Sequence, residues 1–151
     1  MSGDTQQPKT APGTGTDISL IGEDHVRAYR ETGGETGYIW NGVTALLFTT
    51  KGRKSGEPRT NAIIFTQVGD KYVIIASKGG SPTHPAWYLN ILEDPNIEVQ
   101  IKDEVFPATA RTAQSPEREE LWAEAVKNWP NYDVYQSRTE RLIPVVVIER
   151  A

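Results

Sequence analysis

Cysteine is absent from this 151-residue chain, and its only two histidines are His25 and His84. The lack of cysteine excludes disulfide bonds and thiolate metal sites, and it makes a cytoplasmic location the natural expectation. The two histidines lie far apart in sequence, and no ligand-like spacing joins them to carboxylates. No metal site is therefore predicted.

Long apolar runs and an excess of positive charge are also missing. No segment is long enough to span a bilayer, and residues 1–17 lack the apolar region of a signal peptide, so stable membrane insertion is not expected, although peripheral association stays open. The formal net charge is −4 and the pI is about 5.2, which counts against a nucleic-acid-binding protein. Residues 1–17, rich in Thr, Gly, Pro and Gln, are predicted to be a disordered tail before a single domain over residues 18–151.

The apolar pattern predicts six strands, at residues 43–50, 59–68, 72–77, 97–102, 105–111 and 143–149. The run Ala62–Phe65 is typical of a strand buried on both faces, and Pro107 indicates an edge or a bulge. Helices are predicted at residues 23–32, 85–93 and 116–129, with a short turn at 132–137. Because the strands are mostly joined by hairpins, the prediction is an α+β fold, a small closed antiparallel β-barrel with flanking helices.

Four basic residues stand close together in this acidic chain, within the segment Thr-Thr-Lys-Gly-Arg-Lys-Ser-Gly-Glu-Pro-Arg at 49–59. Glycine and proline around them favour a tight turn with open N–H groups, and cations beside open amides suit a phosphate or carboxylate. A solubility turn is the competing interpretation. A Walker A loop is excluded, because Arg53 occupies the place of the glycine before its lysine.

Three further segments have both a structural and a functional interpretation. Ala-Ser-Lys-Gly-Gly (76–80) suits close approach of a flat ligand to the backbone, or is a plain flexible turn. Trp87 and Tyr88 follow Pro85 on a short helix, where core packing is the usual role of an aromatic pair. Aromatic residues recur every third position at Trp129, Tyr132 and Tyr135, which predicts an aromatic wall for a planar substrate or a lid over the barrel end.

Taken in order, these segments resemble the deazaflavin-dependent nitroreductases of actinobacteria, which use coenzyme F420 and have the split β-barrel of flavin-binding proteins. The matching stretches are residues 49–59, 76–80, Pro-Ala-Trp-Tyr-Leu-Asn (85–90), Tyr-Asp-Val-Tyr-Gln-Ser (132–137) and Ile-Pro-Val-Val-Val (143–147). The ordered set covers most of the chain after about residue 43 and is specific. Split barrels often dimerise, so the resemblance allows a homodimer.

The resemblance implies a site residue by residue. Ser77, Tyr132 and Tyr135 would be catalytic, and Trp129, Tyr132 and Tyr135 would form the substrate pocket, with Trp129 standing where some relatives have a third tyrosine. The cofactor would contact Lys51, Arg53, Lys54, Ser55, Arg59, Thr60, Asn61, Ala62, Ile63, Ile64, Ile75, Ala76, Ser77, Lys78, Ala86, Trp87, Tyr88, Leu89, Asn90 and Tyr132. The basic residues would hold its anionic tail, and the residues near Ser77 its ring.

The activity implied is hydride transfer from reduced F420 to an electron-poor small molecule, such as an enone, an unsaturated lactone or a quinone, with the protein supplying position and electrostatics. Two alternatives stay open at this point. One is a split-barrel oxidoreductase that binds FMN or a haem-like group. Four clustered cations favour F420 over FMN, because the tail of F420 is longer and more anionic than the single phosphate of FMN. The other is a non-catalytic carrier of F420 or a lipid.

Overall fold

The computed structural model describes residues 20–151, so the predicted tail at 1–17 lies outside the described residues. Within 20–151 the chain forms four α-helices and eight strands, together with a short 3-10 turn at Lys78–Gly80. The helices are α1 (Gly22–Thr32), α2 (Ala86–Glu93), α3 (Glu117–Asn128) and α4 (Asn131–Ser137). The strands are β1 (Ile39–Trp40), β2 (Val43–Lys51), β3 (Pro58–Ile64), β4 (Thr66–Val68), β5 (Lys71–Ile75), β6 (Asn96–Ile101), β7 (Glu104–Thr112) and β8 (Val145–Arg150).

The strands form one curled antiparallel sheet in the order β1-β2-β6-β7-β8-β5-β4, with β3 paired to β2. β3 and β4 are one chain segment that bends at Phe65. Its first part pairs with β2, where Ala45 faces Ile64, and its second part pairs with β5, where Thr66 faces Val73. The segment therefore links the two ends of the sheet, and the α+β split-barrel fold is confirmed.

The prediction of a single strand at 59–68 is wrong, because the bend at Phe65 divides this segment into β3 and β4. The prediction that this strand is buried on both faces is also wrong. Ile64 and Phe65 are buried, but Ala62 and Ile63 are only half-buried. Apolar residues therefore line an accessible surface here, and that surface belongs to the cavity described below.

The core has two parts, one on each side of the curled sheet. The first lies inside the barrel and contains Phe48, Val99 and Val146. The second contains Val145 and Val147 with residues of α3 and α4. Neighbouring positions of β8 thus point to opposite sides, and both sides are fully buried. This accounts for the continuous apolar run of β8.

Glycine and proline stand at the ends of α1 and α2, whereas Ser115 and Pro107 do not have the roles predicted for them. Gly33 ends α1 in the left-handed region (φ 61°), as expected. Pro85 precedes α2 as its cap residue. Ser115 does not cap the α3 backbone; its hydroxyl donates to the Glu119 carboxylate at 2.7 Å. Pro107 lies in an interior strand rather than at an edge, and its carbonyl accepts from Ala151 N, just past the end of β8.

Among residues 20–151, no helix is long and apolar enough to cross a membrane. Over the same range no group of three or more His, Cys, Asp or Glu side chains is placed to hold a metal ion.

Candidate functional site

A cavity of about 910 Å³ lies where the β2–β3 loop, strand β3, the Ser77–Gly80 turn and parts of all four α-helices or their caps meet. Most of the residues predicted for the site line it. These are Arg53, Lys54, Ser55, Arg59, Thr60, Asn61, Ala62, Ile63, Ile64, Ile75, Ser77, Lys78, Ala86, Trp87, Asn90, Trp129, Tyr132 and Tyr135. The fold thus brings together segments that are separated by up to 82 residues of sequence, from Arg53 to Tyr135.

Four residues predicted to contact the cofactor do not line this cavity. Ala76 is fully buried in the barrel core. Tyr88 is also buried, and its hydroxyl bonds the Thr112 hydroxyl at 2.8 Å. Leu89 is half-buried on α2, and Lys51 is exposed at the end of β2. The structural interpretation, core packing, therefore applies to Tyr88, whereas its neighbour Trp87 lines the cavity.

The basic loop between β2 and β3 is a compact turn closed by its own backbone. Gly52 N donates to the Glu57 carbonyl and Gly56 N to the Gly52 carbonyl, both at 2.8 Å. A Cβ on Gly52 would lie 2.9 Å from the Glu57 carbonyl oxygen, so the turn closes this tightly only with glycine. Over residues 20–151, the ion pairs formed include none with Lys51, Arg53, Lys54 or Arg59. Their charges are available to an anion.

Asn90 of α2 attaches this loop to the body of the protein. Its side-chain oxygen accepts from Arg53 N at 3.2 Å and from Arg53 Nη1 at 3.1 Å. Its amide nitrogen donates to the Thr50 hydroxyl at 3.0 Å. Asn90 and Thr50 are buried, and a buried amide with its donor and acceptor both satisfied restrains what it contacts. Asn90 therefore orients Arg53 from within the cavity wall.

The turn after β5 presents Ser77 to the cavity in an uncommon backbone conformation. Lys78 has φ 47°, Gly79 φ 64° and Gly80 φ 87°. A Cβ on Gly80 would lie 2.5 Å from the carbonyl oxygen of Tyr135 in α4, so the turn and the helix touch through their backbones. The Ser77 hydroxyl has no hydrogen-bond partner among the described residues, and it is half-buried in the cavity wall.

Three aromatic residues form the neighbouring wall, as their spacing predicts. Trp129 follows α3, and Tyr132 and Tyr135 lie on α4. The Tyr132 and Tyr135 rings meet edge to face at 6.1 Å, and Trp129 Nε1 donates to the Tyr135 hydroxyl at 3.4 Å. The Tyr132 hydroxyl has no protein partner within residues 20–151. Burial, and then Tyr135, raise the pKa of Tyr132 well above its usual value, so its phenol stays protonated and can donate.

Sequence reasoning missed the contribution of α1 and of the hairpin after it. Gly22, Glu23 and Val26 line the cavity together with Trp40. The Trp40 ring lies 6.1 Å from that of Trp129, which extends the aromatic wall. No local signal marks these residues, because long-range packing alone places α1 over the cavity.

The two ends of the cavity differ in chemistry. One end has cations that form no ion pair with residues 20–151, beside a tight backbone turn, which suits a polyanion. The other has aromatic rings and two free hydroxyl groups, which suit a planar ligand with a polar atom. Between them the half-buried side chains of β3 form an apolar wall. The site thus fits a long ligand with an anionic tail and a flat head.

Comparisons with known proteins agree with this geometry. The family profile described as F420H(2)-dependent quinone reductase matches residues 22–150. An F420H(2)-dependent quinone reductase of Mycobacterium tuberculosis is 41% identical over 130 residues, which span 83% of this chain and 87% of that protein. A solved F420-H2 dependent reductase is 45% identical, with a TM-score of 0.65; the match covers 70% of this chain and 93% of the other.

Two further structures bear on assembly and fold. A chain described as a domain-swapped dimer is 45% identical, with a TM-score of 0.65, and the match covers 70% of this chain and 79% of the other. A haem storage protein from Vibrio cholerae matches with a TM-score of 0.57 but only 14% identity, over 87% of this chain and 92% of the other. The second likeness concerns the fold alone.

Proposed function

Because the chain belongs to the F420H(2)-dependent quinone reductase family, we propose that it reduces quinones with reduced F420 as the hydride donor. We extend the proposal to other acceptors whose C=C bond is conjugated to a carbonyl, such as enones and unsaturated lactones. These share with quinones a carbonyl oxygen that gains negative charge as hydride is added. A site that donates a hydrogen bond to that oxygen serves all of them.

The observation that carries the proposal is the unpaired basic loop at one end of the cavity. The tail of F420 is polyanionic, and Arg53, Lys54 and Arg59 line the cavity without an ion pair to any described residue. Charge-assisted hydrogen bonds from these side chains would hold the phosphate and carboxylates. The half-buried apolar side chains of Ala62 and Ile63 would cover the flat part of the cofactor. The residues that line the cavity therefore fit F420.

When bound, reduced F420 supplies the hydride. The protein's own part is to position the acceptor, exclude water and stabilise the developing charge. Tyr132 and Ser77 both have free hydroxyl groups in the cavity wall, so either can donate to the acceptor oxygen. Both hydroxyl groups are neutral at neutral pH, and burial raises the pKa of the Tyr132 phenol further above its usual value, so Tyr132, like Ser77, acts as a neutral hydrogen-bond donor.

A cofactor titration tests the binding part of the proposal. Arg53→Ala and Lys54→Ala are compared with Lys127→Ala, which removes the same charge from α3, where Lys127 pairs with Glu124. The loop variants are expected to bind F420 about ten- to 150-fold more weakly, with a shallower dependence on salt, because each lost charge-assisted bond is worth about 1.5–3 kcal/mol. Dissociation constants equal to that of Lys127→Ala would overturn the role of the loop. Tighter binding of FMN than of F420 would overturn the choice of cofactor.

A turnover assay tests the reaction. The protein is mixed with reduced F420 and either a quinone such as menadione or cyclohexenone, and cofactor absorbance is followed. Oxidation that depends on the protein and on the acceptor is expected. If F420 binds tightly but no quinone or enone is reduced, the chain is a carrier and the reaction is rejected.

Three further proposals concern the domain organisation, the assembly and the location of the protein. We propose that residues 18–151 act as one domain, since α1, the sheet and α4 all contribute to one cavity. We propose a homodimer, which the dimeric form of the 45% identical structure supports; light scattering of the purified protein tests it. A cytoplasmic location is consistent with the absence of cysteine.

A further inference from the structure

Arg141 lies in the loop between α4 and β8 and binds the turn after β5 through its whole guanidinium group. Nε donates to the Ser81 carbonyl at 2.7 Å, and Nη2 donates to the Ser77 carbonyl at 2.7 Å. Nη1 donates to the Ala76 carbonyl at 3.2 Å and lies 3.1 Å from His84 Nδ1. One side chain thus contacts four residues of a single segment.

The protonation of His84 agrees with this arrangement. Burial and the adjacent Arg141 charge both lower the pKa of His84, so its ring is neutral at neutral pH and Nδ1 accepts. Arg141 forms no ion pair with any carboxylate of residues 20–151. Four of its five N–H donors are directed at backbone carbonyls and at this ring. The planar, forked guanidinium can satisfy several such acceptors at once, and a lysine ammonium group cannot reproduce that geometry.

The turn that Arg141 holds has little support of its own. Three successive residues, Lys78, Gly79 and Gly80, have positive φ. Within the turn the backbone hydrogen bonds are Gly80 N to the Ser77 carbonyl at 2.9 Å and Ser81 N to the Lys78 carbonyl at 3.1 Å. A short turn in a sparsely populated conformation persists only when its surroundings restrain it. Arg141 supplies most of that restraint from outside the turn, and the exposed Arg138 adds one bond, from Nη1 to the Gly79 carbonyl at 3.2 Å.

Arg141 is itself tied to the helix of the aromatic wall. Gln136 of α4 donates from Nε2 to the Arg141 carbonyl at 2.8 Å and accepts from Ile143 N at 3.0 Å. The same helix meets the turn directly, through the contact of Gly80 with Tyr135. Arg141 therefore joins the two walls that carry the free hydroxyl groups of the cavity.

We propose that Arg141 is a positioning residue that sets the distance between Ser77 and Tyr132, and with it the placement of the acceptor. Arg141 does not line the cavity, so it acts through the turn and contacts neither substrate nor cofactor. This proposal rests on the proposed function. A displacement of about 1 Å in a positioning group costs about a hundredfold in rate in other enzymes, so loss of the restraint is expected to lower kcat by about ten- to a hundredfold.

The test uses Arg141→Gln and Arg141→Lys, with Arg118→Gln as the matched control. Arg118 is also half-buried and also donates to a backbone carbonyl, that of Ile143 at 2.7 Å, but it does not touch the turn. Three quantities are measured for each variant: amide hydrogen exchange of Gly80 and Ser81 without ligand, the dissociation constant of F420, and kcat and KM for menadione. If Arg141→Gln does not fold, the same three measurements on Arg141→Lys decide the outcome.

Both Arg141 variants are expected to speed exchange of the Gly80 and Ser81 amides by about tenfold or more, because the turn opens locally. Their kcat falls, while the dissociation constant of F420 rises by a much smaller factor, since the basic loop that holds its tail is untouched and only its ring contacts near Ser77 loosen. Exchange no faster than in Arg118→Gln overturns the proposal, and so does a loss of F420 affinity that matches the fall in kcat. If the unaltered protein shows no turnover, the proposed function fails, and the exchange comparison alone decides whether Arg141 restrains the turn.

Discussion

Gly80 is predicted to be the glycine of the Ser77–Gly80 turn that cannot be replaced. An added Cβ would lie 2.5 Å from the Tyr135 carbonyl oxygen, 3.1 Å from Tyr135 Cα and 3.0 Å from Arg138 Cβ. Two of these three atoms belong to the backbone of α4 and cannot swing aside. Gly79 and Gly69 also have positive φ, both at 64°, but nothing lies within 4 Å of a Cβ placed on either. They are matched controls that share the backbone strain without the clash.

The expected magnitudes follow from these contacts. Alanine in the left-handed region costs about 1–2 kcal/mol, and removing a glycine from the unfolded chain returns about 0.4–1 kcal/mol. Gly69→Ala and Gly79→Ala should therefore destabilise the protein by about 1 kcal/mol. Gly80→Ala adds an overpacking cost of about 1–3 kcal/mol. At about 2–4 °C per kcal/mol for a chain of this size, Gly80→Ala should lower Tm by about 2–12 °C more than either control.

Thermal unfolding followed by circular dichroism measures the difference, and urea unfolding at constant slope checks that the native state alone has changed. A Gly80→Ala protein no less stable than Gly69→Ala would refute the close packing of the turn on α4.

Three other outcomes are expected. Asn90→Ala should weaken F420 binding about two- to tenfold, because Arg53 must then be ordered by the ligand; an equal loss in the Arg53→Ala background would show that Asn90 does not act through Arg53. Tyr132→Phe keeps the ring volume and should leave the F420 dissociation constant within about twofold while kcat falls about tenfold or more; an unchanged kcat would remove Tyr132 from the reaction. Hydrogen bonding to Arg111, and less to Lys71, lowers the pKa of Glu117 from 4.5 to about 2, so its stabilisation is fully present above pH 4.5 and is lost as the pH falls toward 2. The urea midpoint of Glu117→Gln should lie below that of the unaltered protein at pH 7 and approach it only as the pH falls to about 2.

Local patterns predicted much of the fold. The apolar run of β8 and the glycine stop at Gly33 were confirmed, because each depends on residues adjacent in sequence. The bend at Phe65 could not be predicted, since it results from pairing the two halves of one segment with different strands. The prediction that Pro107 marks an edge or a bulge was wrong for a similar reason, since strand pairing is not visible in the local sequence. It lies in an interior strand, but its open side faces the region just past the end of β8.

The parts of the candidate site that could be predicted are those whose charged or aromatic residues stand close together in sequence. The family resemblance, its F420H(2) dependence and the split barrel were confirmed. The basic loop and the aromatic spacing carried that inference, because charge and ring content are visible in sequence. Arg141 and Val26 were not found. Neither belongs to a local pattern, and each reaches the site region only through the folded arrangement of distant segments.

The half-buried face of β3 has a consequence for the stability of the whole protein. A core is normally complete once the chain has folded, but Ala62 and Ile63 here keep apolar surface in contact with solvent until something covers it. A ligand seated in the cavity adds to the core, and binding that occurs only in the folded state stabilises it by about 2.7 kcal/mol at a hundred times the dissociation constant. The abundance of this protein in a cell should therefore follow the supply of its cofactor.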